Sequence, residues 1–374
     1  MKLIPLLAIP AVGIAFATSL SDPASEWVVR ASTSMSTPRA AHQATILSPN
    51  EVLLTGGCSG PGCSPIENSA EIYNLDTGRA TPTKPMHDRR VSHVAARMPD
   101  GRILVAGGWT GVATTSSAEV FDAQRGAFLP VGALATPRMD ATATSMSDGS
   151  ILVIGGASAT NQPIARSEVF GSSELSFRPA ASLIEARAHH TAIRLPDNRI
   201  LLAGGMRARN IATRSAELYD PITNRFVQTG PMLQARCKHA AVLLKDGRVL
   251  VLAGSTDCDD RNRVAETEFY DPKTGTFSQG PRLLNPRYKI ASAATVLPSG
   301  EVVIAGDAND VEVWTPGESS FARASGGIGR GLAFSTATAL PSGDVLVTGG
   351  YNDEIRATSE AWLVSRRSPT RVRN

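Results

Sequence analysis

One arginine position recurs seven times along this 374-residue chain, and its spacing restricts the fold more than any other feature. The residues are Arg39, Arg90, Arg138, Arg187, Arg236, Arg287 and Arg330, separated by 51, 48, 49, 49, 51 and 43 positions. A glycine gives a second register: Gly56, Gly107, Gly155, Gly204, Gly254, Gly306 and Gly349. A glutamate gives a third: Glu71, Glu119, Glu168, Glu217, Glu268, Glu312 and Glu360. Three registers agree on seven units of roughly 50 residues, the period of propeller blades and similar arrays. Length alone would suggest two or three domains. Stacked repeats override that expectation, because neighbouring units share one continuous core.

Each unit reads as four strands, most plainly in the fourth copy. Ala188 to Leu195 is a first strand rich in small and β-branched residues, followed by a tight turn at Asp197-Asn198. Its counterparts Asp100-Gly101, Asp148-Gly149 and Asp246-Gly247 are hairpin signals. Arg199 to Ala203 is a nearly all-apolar second strand, as burial on both faces requires. A double glycine ends it, where another backbone approaches closely. Ala216 to Asp220 is a third strand, Pro221 to Arg225 a turn, and Phe226 opens the fourth. No segment shows sustained helical periodicity. The expected fold is therefore all-β, a seven-bladed β-propeller over residues 26–365. The last unit has no fourth strand after Glu360, Ala361 and Trp362. Phe128, Phe177, Phe226 and Phe277 each stand ten residues before the next arginine, and Trp27-Val28-Val29 stands ten to twelve before Arg39. This N-terminal strand is expected to complete the seventh blade, closing the ring and removing its open edges.

The repeat resembles the kelch repeat. The marks are the double glycine, the opening from Pro38-Arg39 to His42, and the Tyr270-Asp271-Pro272 turn with Phe277 after it. The resemblance runs from about Glu26 to Leu363 and implies a kelch-type propeller. Gly254-Ser255 and Gly306-Asp307 lack the second glycine, and Gly171 stands where the turn aspartate is expected. The fold hosts unrelated activities, so the likeness says little about function.

The first residues read as a secretory signal, with Lys2 before an apolar stretch from Leu3 to Phe16. Ala15-Phe16-Ala17 places cleavage after Ala17, so residues 1–17 would be removed. Export to the periplasm or beyond is expected, with no membrane insertion. Four cysteines suit that compartment, and local disulfides are expected within Cys58/Cys63 and within Cys237/Cys258. A net charge of +3 is too small at this length to imply nucleic-acid binding. Residues 366–374, with Arg366, Arg367, Arg371 and Arg373, read as a basic disordered tail.

Residues present once per blade are most simply scaffold. The seven arginines and seven glutamates read as repeated buried ion pairs rather than a ring for an anion. His42, His93, His190 and His239 share one repeat position and read as structural groups bonded within their own blades, not as a metal ring. Asp257, Asp259, Asp260 and Asn262 offer hard oxygens but lack the spacing of a calcium loop. No metal or cofactor is expected.

Candidate binding residues break the repeat. Loops entering the first strand and loops leaving the glycines fall on one rim. That rim carries Trp109, Asp140, His189, Met206, Arg207, Arg209, Lys238, Tyr288, Lys289 and Tyr351. In kelch proteins that bind partners, the corresponding loops commonly line the pocket. No G-x-S-x-G, H-E-x-x-H or phosphate loop occurs. The expectation is a monomeric, non-catalytic module that binds a protein or carbohydrate on its rim. The alternative is a carbohydrate-active enzyme. A periplasmic sugar epimerase would need only an acid/base pair such as Asp140 or His189 with Lys238 or Lys289. A copper oxidase of the galactose oxidase type is less favoured, because most tyrosines and histidines here sit at repeat positions.

Overall fold

The computed structural model describes residues 26–259 and 261–367. The expected signal segment, Asp260 and the tail from residue 368 lie outside the described residues. Seven four-stranded antiparallel sheets form the molecule. In the first, β2 (Gln43–Ser48), β3 (Glu51–Thr55), β4 (Ala70–Asn74) and β5 (Arg79–Pro82) follow one another from the centre outwards. The innermost strand of every sheet neighbours the innermost strands of the sheets on either side, and the last of them neighbours β2. The array is thus a closed seven-bladed propeller with no α-helix among the described residues.

Closure uses both ends of the described chain. The outermost strand of the seventh sheet is β1 (Trp27–Ser32), which pairs along its whole length with Ala361–Arg366. Its other edge meets the sixth blade, where the Val29 N–H donates to the Ser325 carbonyl and the Ser325 N–H donates to that of Trp27. Trp27 and Val29 are buried in the cluster shared by the last two blades. Arg366, assigned from the sequence to the tail, instead ends the final strand opposite Trp27 and pairs with Glu301. A strand pattern so short, followed directly by basic residues, hid its true length.

The second strands are the driest parts of the fold. Val52–Leu54, Ile103–Val105, Ile151–Ile154, Ile200–Leu202 and Val249–Leu252 are essentially without exposure. They pack against the sheets on both sides, which explains their unbroken apolar character. The glycines after them are enforced by contact. A Cβ on Gly204 would sit 2.6 Å from the Arg236 carbonyl oxygen, and φ there is +59°. The neighbouring Gly205 donates its N–H to that same carbonyl (2.9 Å), tying blade four to blade five. The link recurs around the ring, from Gly57 to Arg90 and finally from Gly350 to Arg39. In the fifth blade the structural registers shift by one. Ala253, at φ +59°, takes the first glycine position and Gly254 the second.

The arginine–glutamate pairs stitch each blade internally. Arg187 donates to Glu217 (2.7 Å) and to the Gly204 and Ser215 carbonyls (2.8 and 3.0 Å). The Glu217 carboxylate also accepts the N–H groups of Ile184 and Glu185. Equivalent buried pairs are Arg39–Glu71, Arg90–Glu119, Arg138–Glu168, Arg236–Glu268 and Arg287–Glu312. The seventh blade departs from this. Its true counterparts are Leu332, whose carbonyl accepts the Asp307 N–H, and Trp362, which pairs with Val347 in the ladder. Both are buried in one apolar cluster. Arg330 and Glu360 do pair, but each is close to half exposed. The sequence register on Arg330 and Glu360 was therefore two residues out, and the scaffold set has six ion pairs and one apolar replacement.

This difference has a measurable consequence. Arg187→Met strands a buried carboxylate and should cost about 3–5 kcal/mol. Arg330→Met breaks a surface pair and should cost under about 1 kcal/mol. Urea unfolding of the two variants checks the contrast, and equal losses would contradict the assignment.

Candidate functional site

The inner strands carry alanine in one ladder register, Ala44, Ala95, Ala143, Ala192 and Ala241, and the last four line the axial cavity. Small side chains leave a central cavity of about 250 Å³, whose walls include Gln43, Ala95, Thr142, Ala192, Ala241 and Ser292. Its upper end is ringed by residues Ala41, Ser92, Asp140, His189, Lys238, Lys289 and Phe334, one from each blade. All seven adopt left-handed φ, between +49° and +57°.

Backbone hydrogen bonds run around this ring. The N–H of Ser92 donates to the Ala41 carbonyl, Asp140 to Ser92, His189 to Asp140, and Lys238 to His189, at 3.0–3.3 Å. Ile290 then donates to Lys238, Phe334 to Lys289, and Ala41 to Phe334. Left-handed backbone costs a residue other than glycine or asparagine about 1 kcal/mol or more. The annulus of bonds over-determines it here.

The side chains on this regular frame are not regular. Blades one and two contribute only Ala41 and Ser92. Blades three to seven contribute a continuous polar and aromatic arc. His189 Nδ1 lies 3.4 Å from Asp140 Oδ1, with both side chains largely sheltered. Burial pushes the His189 imidazole down to about 4; Asp140 works against this and Lys238 adds to it. His189 is therefore neutral at physiological pH and can both donate and accept a hydrogen bond. Lys238 Nζ stands 5.2 Å from the centre of the Tyr288 ring, and Lys289 Nζ stands 5.4 Å from it. Lys289 Nζ is also 5.6 Å from the Tyr351 ring, which tilts against Phe334 at 5.7 Å. Both ammonium groups lie within cation–π reach of an aromatic face. Tyr288 itself is fully buried, and its hydroxyl donates to the Cys258 carbonyl.

Disulfides brace this face. Cys58 joins Cys63, and Cys237 joins Cys258. The second bond ties Cys258, whose carbonyl accepts the Tyr288 hydroxyl, to Cys237 next to Lys238. Two disulfides fit an oxidising compartment. No helix among the described residues is long and apolar enough to cross a membrane.

The four equivalent histidines serve the scaffold, but not within their own blades. His42 Nε2 bonds Thr348 Oγ1 (2.9 Å), His93 bonds Thr55 (2.9 Å), His190 bonds Thr142 (3.0 Å) and His239 bonds Thr191 (3.1 Å). Each threonine belongs to the preceding blade. The imidazoles pack on the first glycine of that blade, where a Cβ would meet the ring. Asp257 is held by Ser255, Asn262 and the Asp259 N–H, chiefly the Ser255 hydroxyl, which brings it down to about 2. Asp259 pairs with Arg261.

Of the residues singled out in the sequence, Asp140, His189, Lys238, Lys289 and Tyr351 come together around the mouth, while the Tyr288 ring is buried beneath the two lysines. Trp109 does not join them; it lies half-buried on the rim of blade two, bridged to Val91 and Thr114. Met206 is buried against Cys237 and Tyr288 beneath the surface. Arg207 is exposed and faces Glu185 at 3.7 Å, towards the outside of the ring. Phe334 and Ser92 belong to the mouth and were missed. Counting from Leu332 instead of Arg330 would have placed Phe334 beside Lys289 in the repeat. Compared with known proteins, the chain matches no family model and no curated protein.

Proposed function

We propose that this chain is an exported, kelch-type propeller that binds a carbohydrate at the mouth of its central cavity, without catalysing a reaction. The observation that carries this reading is the asymmetric arc on a symmetric frame. A scaffold needs no lysine, histidine and aspartate at positions where alanine and serine serve equally well. The cavity is concave and small, below the usual range of drug-sized sites at roughly 300–1,000 Å³. A folded protein surface would not enter it, whereas a monosaccharide unit would. Aromatic rings beside convergent polar groups are the common equipment of such sites.

A glycan and small-molecule binding screen on the purified protein tests this. Lys238→Ala should weaken binding about tenfold or more, the scale of a lost charge-assisted hydrogen bond. Trp109→Ala, away from the mouth, should leave binding unchanged. Binding that ignores Lys238→Ala would refute the site.

One observation favours a second reading, an acid/base enzyme acting on a sugar. Asp140 and His189 are a carboxylate and a neutral imidazole side by side at the cavity, the pairing that proton abstraction and return require. Conversion of a bound sugar to its epimer, abolished by His189→Gln, would establish it over simple binding.

A further inference from the structure

Resting on the carbohydrate reading above, we infer that the protein takes the uncharged end of a glycan chain, drawing its terminal sugar in along the axis, and does not grip a chain along its length. Three observations lead there. First, the mouth is an unbroken ring. Backbone hydrogen bonds join its positions all the way round, with the Lys289–Ile290 peptide completing the circle. A chain enters a closed ring by its end, unless it doubles back and passes through twice. Neighbours joined by one such bond stand ~5 Å apart, so seven of them enclose an opening roughly 12 Å across between backbones, which side chains narrow further. One sugar chain fits that width, and two side by side do not. Second, blade six steps into the axis. In blade five, Lys238 of the ring is followed two positions later by Ala240, opposite Leu252. In blade six, Lys289 is followed only four positions later by the equivalent Ala293, whose carbonyl accepts the Ala305 N–H. Within this longer turn Ala291 and Ser292 are exposed and line the cavity. The Ser292 carbonyl accepts the Ala337 N–H (2.8 Å), which sets the turn at the depth of the alanine register, below the mouth. Ala337 is buried beneath it, whereas its counterparts Ala95, Ala143, Ala192 and Ala241 are partly exposed. Third, most polar groups of the wall are already spent. Thr142 and Thr191 bond histidines of the next blade, and Gln43 Nε2 donates to the His93 carbonyl (2.9 Å). Among the described residues nothing bonds the Ser292 hydroxyl or the Gln43 side-chain carbonyl. The charged side chains of the lining, Asp140 and Lys238, both belong to the ring. A charge drawn past them would lose its water with no counter-charge below.

The orientation follows. The terminal unit lies in the cavity of about 250 Å³, its hydroxyl groups meeting Ser292 from blade six and Gln43 from blade one. The alanine methyls leave width for its apolar faces. Asp140 and His189 meet the hydroxyl groups nearer the opening, and the rest of the chain leaves through the ring.

Calorimetric titration with malto-, cello-, laminari- and N-acetylchito-oligosaccharides of one to six units tests this. In the series that binds, affinity should level off within the first two or three units, because only the end enters. Two caps then ask which end is read: a benzylidene acetal on the last non-reducing unit, and reduction of the opposite unit to its alditol. One cap should weaken binding tenfold or more and the other should change it little. Ser292→Ala should weaken binding about fivefold, the scale of one lost neutral hydrogen bond. Ser292→Phe, which fills the cavity from an exposed position, should weaken it tenfold or more. Affinity that climbs through six units and ignores both caps would overturn end-on insertion and leave carbohydrate binding standing. Binding untouched by both Ser292 variants would overturn it equally, and so would a chain ending in a uronic acid that binds more tightly than its neutral counterpart. If no oligosaccharide of any series binds, the carbohydrate reading falls and this inference with it. Thermal melting of both variants, expected to match wild type, separates loss of contact from loss of fold.

Discussion

A chain beginning at Met35, lacking β1, is expected to lose its single cooperative unfolding transition and to aggregate. The strand supplies the outer edge of the seventh sheet and the seam to the sixth blade. Its two buried side chains, Trp27 and Val29, contribute about 5–8 kcal/mol between them. That alone is comparable with the whole stability of an ordinary domain, about 5–15 kcal/mol. Removing it also uncovers the edge of Ala361–Arg366, a ready template for pairing with another chain. Calorimetry and light scattering would show the outcome. A truncated chain melting as one sharp transition at the original temperature would contradict closure by this strand.

Acid is expected to unfold the intact propeller well above the range where carboxylates alone would do so. His42 and His239 are each pushed down to about 3, and His93 and His190 well below 6.5, in every case chiefly by burial, with nearby arginines adding to it. The folded state therefore holds these rings neutral while the unfolded chain protonates them near 6.5. Their stabilisation is complete above that value and is lost progressively as pH falls below it, continuing until the folded rings themselves titrate. The charged ring carries an N–H at both nitrogens, and no protein acceptor lies in reach of Nδ1 in any of the four. At pH 4.5 the loss is about 2–3 kcal/mol for each of His42 and His239, and His93 and His190 add to it in the same direction. Urea midpoints between pH 7.5 and 4.5 should fall steeply. His93→Gln should flatten the dependence by about one proton's worth, since its amide can still reach Thr55. A midpoint constant over this range would mean that the rings are not buried in neutral form.

Much of the architecture was legible because the repeat announces itself three times over. Arginine, glycine and glutamate each have a fixed task in six of the seven blades, so their spacing counts blades without help from propensity. The spare strand at Trp27 was legible for the same reason, as its offset from Arg39 matches that of the blade aromatics from the next arginine. Errors arose where chemistry was replaced. Leu332 and Trp362 do apolar work where six blades use an ion pair, and a search for arginine and glutamate settled on Arg330 and Glu360 nearby. Periodicity also cannot say whether a bond closes within one repeat or reaches the next. His42 and Thr348 are 306 residues apart in the chain yet share a hydrogen bond. The mouth was half legible. Residues breaking the pattern were visible, but Met206 and Tyr288 both break it and both turn into the core. Side-chain direction on a short bridge depends on packing that no single repeat contains.

The annulus of main-chain bonds at the mouth has a practical corollary. Because peptide groups alone hold that circle, each of its seven sites acts as a socket into which a different side chain can be plugged. The left-handed penalty is modest for unbranched side chains, seven of which occupy the ring, and larger for β-branched ones. Exchanging Ala41 or Ser92 for a bulkier or charged residue should re-specify what the opening accepts at little expense to the body beneath it. Recognition and folding are thus insulated from each other in this molecule, and one can be rewritten without disturbing the other.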